Sequence, residues 1–306
     1  MSTNPYLDPH RIRAALRALG LRPTRGMGQN FLIDPLALSA IVGAAELNSS
    51  DTVVEVGPGL GVLTWELLQQ AGQVISVELD KRLVARLHDE FKAASNLTLI
   101  ESDVLRISPA KILDGGGWTA DGEAALPPTA LHPPSYKLVA NLPYAITAPV
   151  LRHFLEGVPA PEVMVVLVQW EVAERIVAGP GDLSVLAHSV QIYAQPEIVA
   201  RVGAASFEPA PAVDSAVLRM RRRAAPAVAV DSIDRLFRLI KAGFSQPRKK
   251  ITNSLPGGLA AMGAPTTREQ ALAALTAAGV GHDRRAETIS LDEWAAVYHI
   301  LQVQST

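Results

Sequence analysis

Short β-branched runs alternate with amphipathic stretches between residues 36 and 179, and this alternation constrains the fold more than any other feature. The runs that predict strands lie at 52–57, 73–80, 97–104, 136–142 and 162–169. Helical spacing of apolar residues occurs at 36–47, 63–72, 81–94, 148–157 and 171–179. Strand–helix alternation with short connections is typical of a parallel sheet with helices on both faces. The sequence therefore predicts an α/β fold.

The pattern changes in the second half of the chain. Two long strands are predicted at 188–202 and 213–222, antiparallel at one edge of the sheet. After the Ala/Pro stretch 224–230, the predicted elements are helical, at 231–244, 269–279 and 290–301. We therefore expect an α/β domain over 1–223 and a smaller all-helical domain over 224–306. The Gly/Pro-rich stretch 114–135 is predicted to be a surface loop.

Composition excludes several classes of protein. The chain contains no cysteine, which rules out disulfides, thiolate nucleophiles and cysteine-ligated zinc. Its seven histidines show no metal-ligand spacing, so no metal site is predicted. No apolar stretch approaches the roughly 18 residues that a membrane helix needs, and the N-terminus lacks the apolar core of a secretory signal. We expect a soluble, cytoplasmic protein without a membrane partner.

Charge is distributed unevenly along the chain. Residues 1–200 hold 14 Lys/Arg against 21 Asp/Glu, whereas residues 201–306 hold 14 against 9. The basic excess is concentrated in "RMRRR" (219–223) and "RKK" (248–250). Such asymmetry indicates either a polyanionic partner or a solvated charged face, and charge alone does not distinguish them.

A glycine cluster, "EVGPGLG", follows the first predicted strand and precedes a helix. It places Glu55, Gly57, Gly59 and Gly61 in an E-x-G-x-G-x-G pattern. Glycines at such a turn allow the backbone to approach a ligand closely. The spacing differs from the G-x-G-x-x-G of dinucleotide-binding turns, Pro58 removes one N–H, and Glu55 would repel a phosphate. The acid could instead organise the ammonium group of an amino-acid-bearing nucleoside such as S-adenosylmethionine.

Two further carboxylates follow the next predicted strands. Glu78 ends the second strand, where a carboxylate can accept both hydroxyls of an adenosine ribose. Asp103 follows the third strand, where it could meet an adenine amino group or cap a helix. With the glycine cluster, these strand ends favour S-adenosylmethionine over NAD, although a purely structural glycine turn stays possible.

The fourth predicted strand ends in "NLPY", residues 141–144. The Asn141 side-chain oxygen and a nearby carbonyl could accept hydrogen bonds from an exocyclic amine, aiming its lone pair at a methyl group. Pro143 biases Leu142 to an extended conformation that exposes a carbonyl, and Tyr144 offers a flat face for stacking. The alternative is a strand-ending turn with a tyrosine in the core. Methylation of such an amine needs alignment more than a strong base.

Taken together, these motifs resemble the ribosomal RNA adenine N6,N6-dimethyltransferase family. Within it, their forms are most similar to the small-subunit branch (KsgA/RsmA type), which acts on 16S rRNA. The resemblance implies a Rossmann-like class I methyltransferase sheet with a smaller helical C-terminal domain. Trp170 departs from the family, which often has a basic residue there. The matching segments run in order along nearly the whole chain: "GQNFL" (28–32), "EVGPGLG" (55–61), "VELD" (77–80), "SDV" (102–104), "NLPY" (141–144), "SFEPAPAVDS" (206–215) and "FSQPRKKITNSL" (244–255).

The resemblance implies a role for each matching residue. The cofactor would be S-adenosyl-L-methionine, released as S-adenosyl-L-homocysteine, with no metal. Phe207 would close over the target adenine opposite Tyr144. The catalytic residues would be Asn141, Leu142, Tyr144 and Phe207. The cofactor-binding residues would be Asn30, Leu32, Gly57, Gly59, Glu78, Asp103 and Asn141.

The implied substrate is a pair of adjacent adenosines near the 3′ end of 16S rRNA, dimethylated in a late small-subunit particle by a monomeric enzyme. Alternatives are a large-subunit adenine methyltransferase of the erythromycin-resistance type and a ribosome-assembly factor whose catalysis is secondary. The helical domain would dock on the ribosomal particle or serve only as a stabilising cap. Candidate RNA contacts are Arg219–Arg223, Arg248–Lys250 and the N-terminal Arg11, Arg13, Arg17, Arg22 and Arg25.

Overall fold

The structure is a computed structural model that describes residues 4–21, 30–115 and 135–301. The helices are α1 Pro9–Ala18, α2 Pro35–Ala45, α3 Val62–Gln70, α4 Lys81–Glu90, α5 Pro109–Leu113, α6 Thr147–Leu155, α7 Trp170–Val177, α8 Val185–Gln191, α9 Ile233–Gly243, α10 Ile251–Ala261, α11 Arg268–Ala277 and α12 Leu291–Leu301. The strands are β1 Phe31–Leu32, β2 Thr52–Val56, β3 Gln73–Glu78, β4 Leu97–Glu101, β5 Lys137–Asn141, β6 Val163–Gln169, β7 Ala194–Val202, β8 Phe207–Glu208 and β9 Ser215–Arg222.

Seven strands form one sheet in the order β4-β3-β2-β5-β6-β9-β7. Strands β2 to β6 pair in parallel, and β9 runs antiparallel to β6. The chain builds outward from β2 through β3 to β4, and then returns to the other side of β2 to add β5 and β6. In sheets of this kind ligands bind where the strand order reverses, at the carboxyl ends of the strands. Here that position lies between β2 and β5.

The elements follow from local sequence chemistry. Asp34 accepts the Leu36 N–H at 2.8 Å to start α2, and Asp80 accepts the Arg82 N–H at 2.9 Å to start α4. The central strands consist of buried residues with few exceptions, which explains why their sequences are nearly continuous apolar runs. The helices pack on the sheet and form a hydrophobic core that includes Ile41 of α2 and Leu67 of α3, both fully buried.

A second, two-stranded sheet pairs β1 with β8. Phe31 lies opposite Glu208 and Leu32 opposite Phe207, in antiparallel register. The two strands are far apart in the chain, so their pairing brings the segment that precedes α2 beside the segment that precedes β9. Leu32 and Phe207 are both buried in the main core.

The chain divides into two compact units, 1–173 with 196–222 and 174–195 with 223–306. The sequence predicts a single boundary at residue 223. The structure differs from this prediction in the segment 174–195, which belongs to the second unit. The segment packs there because Ile192 is fully buried among helical residues of the C-terminal part, and because its carbonyl accepts the Ala227 N–H at 2.8 Å. The edge of the His188 ring meets Phe244, with centroids 5.9 Å apart.

The prediction of a strand over 188–202 is wrong in its first part. Residues 185–191 form α8, and the strand β7 begins only at Ala194. Ser184 caps α8 by accepting the Ala187 N–H at 3.1 Å, and burial of the helix in the second unit outweighs the β-propensity of Val185 and Val190. The prediction of an α/β fold with a helical C-terminal part is confirmed. Most of the predicted loop 114–135 lies outside the described residues.

Candidate active site

The glycine cluster forms a turn between β2 and α3 in which three glycines have left-handed backbone conformation. The φ angles of Gly57, Gly59 and Gly61 are 67°, 60° and 87°. Side chains would also collide here, because a Cβ on Gly61 would lie 2.6 Å from Phe91 Cε2 and one on Gly59 would lie 3.1 Å from Phe31 Cε1. The turn therefore requires glycine for both conformation and space.

Glu78 lies at the carboxyl end of β3, beside this turn. Its Oε1 accepts the N–H groups of Leu79 and Asp80 at 2.8 and 3.0 Å, and its Oε2 accepts the Gly59 N–H at 3.2 Å. Burial raises the pKa of Glu78, and these backbone donors act in the opposite direction. The three N–H groups hold the carboxylate in one orientation at the edge of the sheet, suited to accept hydroxyl donors from a ligand.

Glu55 is a buried carboxylate on β2, one strand away. Its Oε2 accepts hydrogen bonds from Thr64 Oγ1 at 2.8 Å and Ser76 Oγ at 2.7 Å. Burial, with a smaller contribution from the neighbouring Glu78, raises the pKa of Glu55 to about 7 against the effect of these hydroxyls. A carboxyl group in this state can accept a proton or a cation near neutral pH.

The NLPY segment ends β5 on the other side of the switch point. Asn141 Nδ2 donates to the Asn30 carbonyl at 3.1 Å, which leaves Oδ1 as the acceptor atom of that side chain. The Leu142 N–H donates to the Leu167 carbonyl at 3.3 Å, and Leu142 lies on the wall of the cavity described below. The Tyr144 hydroxyl is 2.7 Å from Ser215 Oγ, a hydrogen bond that fixes the ring. Segment 141–144 therefore presents two oxygen acceptors and an oriented aromatic ring.

One cavity joins the two sides of the switch point. None of its described lining residues is basic, and its acidic members are Glu55 and Glu78. Such a lining suits a cationic ligand that carries hydroxyl groups, and it offers no cation to a pyrophosphate. In the described part of the chain, no group of three His, Asp or Glu side chains is arranged to hold a metal ion. Predicted site residues on the cavity wall are Asn30, Leu32, Gly57, Gly59, Glu78, Asn141, Leu142 and Tyr144.

Comparison with known proteins matches residues 22–303 to the family described as Ribosomal RNA adenine dimethylase. The chain belongs to the ribosomal RNA adenine dimethylase family. It is 46% identical over 275 residues to the Ribosomal RNA small subunit methyltransferase A of Dehalococcoides mccartyi, covering 90% of this chain and 87% of the relative. It is 39% identical over 296 residues to the protein of the same name from Moorella thermoacetica, covering 96% and 98%. The family resemblance predicted from the motifs is confirmed.

Solved structures agree with this fold. The crystal structure of 23S rRNA methyltransferase ErmE is 28% identical, with a TM-score of 0.65, and covers 89% of this chain and 100% of that chain. A dimethyladenosine transferase from Plasmodium falciparum is 22% identical, with a TM-score of 0.68, and covers 89% and 98%. The chain is thus an adenine dimethylase with a Rossmann-like methyltransferase sheet and a helical C-terminal part.

Two predicted site residues of this dimethylase do not line the cavity. Asp103 follows β4, where its Oδ1 accepts the Leu105 N–H at 3.0 Å and its Oδ2 lies 3.5 Å from Arg106 Nε. Phe207 is buried in the core with 2% of its surface exposed. Contact of Asp103 with an adenine, and of Phe207 with the target base, therefore stay predictions. Residues 28 and 29 of the GQNFL segment lie outside the described residues.

Arg219 and Arg221, in the candidate RNA-contact segment 219–223, lie away from the carboxyl edge of the sheet. Ser215 opens β9 at the site edge, and Arg221 lies six residues further, about 20 Å along the strand. Arg219 and Arg221 approach Glu46 Oε1 at 2.9 and 2.7 Å, and Arg219 also contacts Glu197 at 2.6 Å. These two guanidinium groups form ion pairs away from the carboxyl edge of the sheet, and contact of Arg219–Arg223 with RNA stays a prediction.

The other candidate RNA contacts differ in their surroundings. Arg248–Lys250 is exposed in the second unit, and no side-chain ion pair with another described residue occurs there. Arg13 forms an ion pair with Glu208 at 3.2 Å, beside the small β1–β8 sheet. Arg22 and Arg25 lie outside the described residues. Contact of any of these residues with RNA stays a prediction.

Proposed function

We propose that this dimethylase transfers methyl groups from S-adenosylmethionine to N6 of two adjacent adenosines near the 3′ end of 16S rRNA. The observation that carries the proposal is the convergence of Glu78, Asn141 and Tyr144 on one cavity at the switch point of the sheet. A ribose-binding carboxylate and an amine-and-ring clamp are the two parts that adenine methylation requires. The relatives from D. mccartyi and M. thermoacetica are named for the small ribosomal subunit, which supports the small-subunit target.

The β2–β3 side of the cavity would hold the methyl donor. Glu78 accepts the ribose hydroxyls, because its carboxylate is held in place by backbone N–H groups at the edge of the cavity. Glu55 faces the same cavity and attracts the ammonium group of the donor when ionised. The turn at Gly57 and Gly59 lets the backbone approach the ligand without a side chain intervening. When bound, S-adenosylmethionine supplies an electrophilic methyl group on a sulfonium sulfur.

The β5 side would hold the adenine. Asn141 Oδ1 and the Leu142 carbonyl accept the two N6–H groups, which draws the N6 lone pair out of conjugation with the ring. Tyr144 stacks on the base, and its hydrogen bond to Ser215 keeps the ring from rotating away. Because the attacked nitrogen becomes acidic, its proton can leave through the acceptor oxygens without a strong general base. Positioning and fixed dipoles therefore supply most of the rate.

The RNA would be held outside the cavity by cationic side chains. Arg248–Lys250 on the second unit, with Arg11 and Arg17 on α1, offers phosphate contacts that position RNA without reading its sequence. Docking on a small-subunit particle through the helical unit then selects the target by shape. We propose that the enzyme acts in the cytoplasm as a monomer during late small-subunit biogenesis. Within the described residues, no helix has the length and apolar content to cross a membrane.

The test offers labelled S-adenosylmethionine separately to undermethylated small subunits, naked 16S rRNA and large-subunit rRNA. Label should appear as N6,N6-dimethyladenosine at two adjacent positions in the small subunit. Label confined to large-subunit rRNA would favour an erythromycin-resistance type of enzyme, and no label on adenine would overturn the chemistry. Tyr144→Ala should abolish transfer while donor binding persists. If subunit maturation in cells is fully supported by Tyr144→Ala, the protein acts primarily as an assembly factor.

A further inference from the structure

An arginine guanidinium lies over a tryptophan ring on the first unit, outside the cavity. Arg201 Cζ lies 4.5 Å from the centre of the Trp170 ring. The guanidinium is fixed by Asp214, whose Oδ2 accepts from Nε at 3.0 Å and lies 2.9 Å from Nη2. Asp214 is itself anchored, since its Oδ1 accepts the Ala204 N–H at 3.1 Å. The guanidinium plane is therefore held in one orientation against the indole.

This stack is connected directly to the proposed adenine clamp. The backbone N–H of Trp170 donates to the backbone carbonyl of Asp214 at 2.9 Å. The next residue, Ser215, makes the 2.7 Å hydrogen bond to the Tyr144 hydroxyl. Adjacent Cα atoms are about 3.8 Å apart, so the two devices are separated by a single peptide link. Trp170 also follows Gln169, which pairs with Ser215 in the β6–β9 ladder, at the carboxyl edge where the cavity opens.

The guanidinium is available to a ligand on its outer side. The Arg201 side chain is 58% exposed, although one face of the group covers the indole. Asp214 balances its charge, and Arg201 lowers the pKa of that carboxyl, so the pair stays ionised at neutral pH. A neutralised guanidinium is a weak phosphate site, but its flat, weakly hydrated face stacks well on nucleobases. The chemistry thus favours a base over a phosphate.

We propose that Arg201, supported by Trp170, is a stacking platform for the base of the nucleotide next to the target adenosine. The platform holds the neighbouring base while Asn141 and Tyr144 hold the target, so the two bases are separated and the target leaves its stack. This inference rests on the proposed function, because it takes the acceptor to be an adenosine within an RNA strand.

The test uses small subunits reconstituted with rRNA that carries one target adenosine, flanked on either side by an intact or an abasic nucleotide. Initial rates are measured at saturating S-adenosylmethionine. With the wild-type enzyme, an abasic residue on one flank should raise KM about 5- to 100-fold, the range expected from loss of one stacked base. In Arg201→Ala, KM for the intact substrate should rise by a similar factor, and the abasic substitution should then add less than twofold.

Conservative variants separate stacking from charge and from folding. Arg201→Lys keeps the charge without the plane and should behave like Arg201→Ala, whereas Trp170→Phe keeps a supporting ring and should retain most of the abasic penalty. Arg152→Ala is the matched control, because Arg152 is similarly exposed and paired with Glu156 on α6. It should match the wild type throughout. Binding of S-adenosylhomocysteine and thermal unfolding should be unchanged in the Arg201 variants.

Three results would overturn the platform. The first is a wild-type enzyme that methylates both abasic substrates as well as the intact one. The second is Arg201→Lys with wild-type KM and the full abasic penalty, which would reduce the role to charge. The third is Arg201→Ala that retains the full penalty, which would make the stack a purely structural contact. Failure of the wild type to methylate the intact substrate is a separate outcome that overturns the proposed function instead.

Discussion

Replacing Glu55 by glutamine should stabilise the protein at neutral and alkaline pH while weakening its hold on the methyl donor. Glutamine has the same shape and keeps a carbonyl oxygen for the hydroxyls of Thr64 and Ser76. It removes the negative charge, which burial disfavours strongly enough to raise the pKa to about 7, and it replaces one carboxylate oxygen by an amide NH2. The pH-dependent part of the change in stability therefore isolates the cost of keeping an ionised group in the core.

The sign and size of the effect follow from proton linkage. Between pH 4.5 and about 7 the folded protein binds more protons at Glu55 than the unfolded chain does, so stability falls as pH rises through this range. One pKa unit corresponds to about 1.36 kcal/mol, so the difference between the pKa of 4.5 in the unfolded chain and about 7 in the folded protein corresponds to about 3 kcal/mol of unfolding free energy. The free energy of unfolding of Glu55→Gln minus that of the wild type should grow by about this amount and level off above pH 7.

Urea unfolding at a series of pH values from 4.5 to 8.5 measures this difference directly. Glu162→Gln is the control, because Glu162 lies in the same unit but is exposed, so this variant removes a carboxylate without changing a buried group. Calorimetry at pH 8 should show S-adenosylmethionine binding about tenfold more weakly to Glu55→Gln, since a charge-assisted contact is lost. A stability difference that is constant across the range would refute the reasoning from burial.

Further substitutions probe the remaining parts of the site. Tyr144→Phe should keep methyl transfer within about tenfold of wild type and lose about 1 kcal/mol of stability in urea unfolding, because the ring stays while the Ser215 hydroxyl loses its partner. Asn141→Ala should lower kcat about a hundredfold or more in single-turnover assays, through loss of the amine acceptor. Gly59→Ala should lower the unfolding free energy by about 1–2 kcal/mol and weaken donor binding in calorimetry, because φ is 60° and Phe31 is close. Arg221→Ala should leave RNA affinity and its salt dependence unchanged in filter-binding assays, because the residue is paired with Glu46 at the opposite edge; a shallower salt dependence would restore it as an RNA contact.

The parts of the site that sequence predicts are those encoded by neighbouring residues. The turn at Gly57 and the acid at Glu78 each follow a β-branched run, so the strand and the feature that ends it are read together. NLPY is predicted in the same way. Because parallel strands end at one edge of the sheet, their convergence on one cavity also follows from the order of elements.

The features of the site and of the fold that the sequence does not predict depend on contacts between residues distant in the chain. Ser215 orients Tyr144 across 71 positions, and although it lies in the motif "SFEPAPAVDS", nothing local indicates its partner. The charge of Arg219 indicates RNA as a possible partner, but its ion pair with Glu197 depends on the position of β7 in the folded sheet and its ion pair with Glu46 depends on the end of α2 packing beside β9. Val190 in α8 and Ile192 directly after it favour a strand, and burial in the second unit outweighs that preference.

The strand order has a consequence for how such an enzyme can change its target. The proposed donor-binding groups come from β2 and β3, encoded within residues 52–78, whereas the proposed acceptor clamp comes from residues 141–144 and its support from Ser215. The donor half and the acceptor half of the site meet where β2 pairs with β5, and this pairing spans only three positions, Val53 to Glu55 opposite Lys137 to Val139. Recombination or directed evolution can therefore exchange the acceptor segment and leave the donor segment intact. Asn141, which we expect to contact both the donor and the acceptor, is the position where compatibility between an inherited donor pocket and a new acceptor would first be tested.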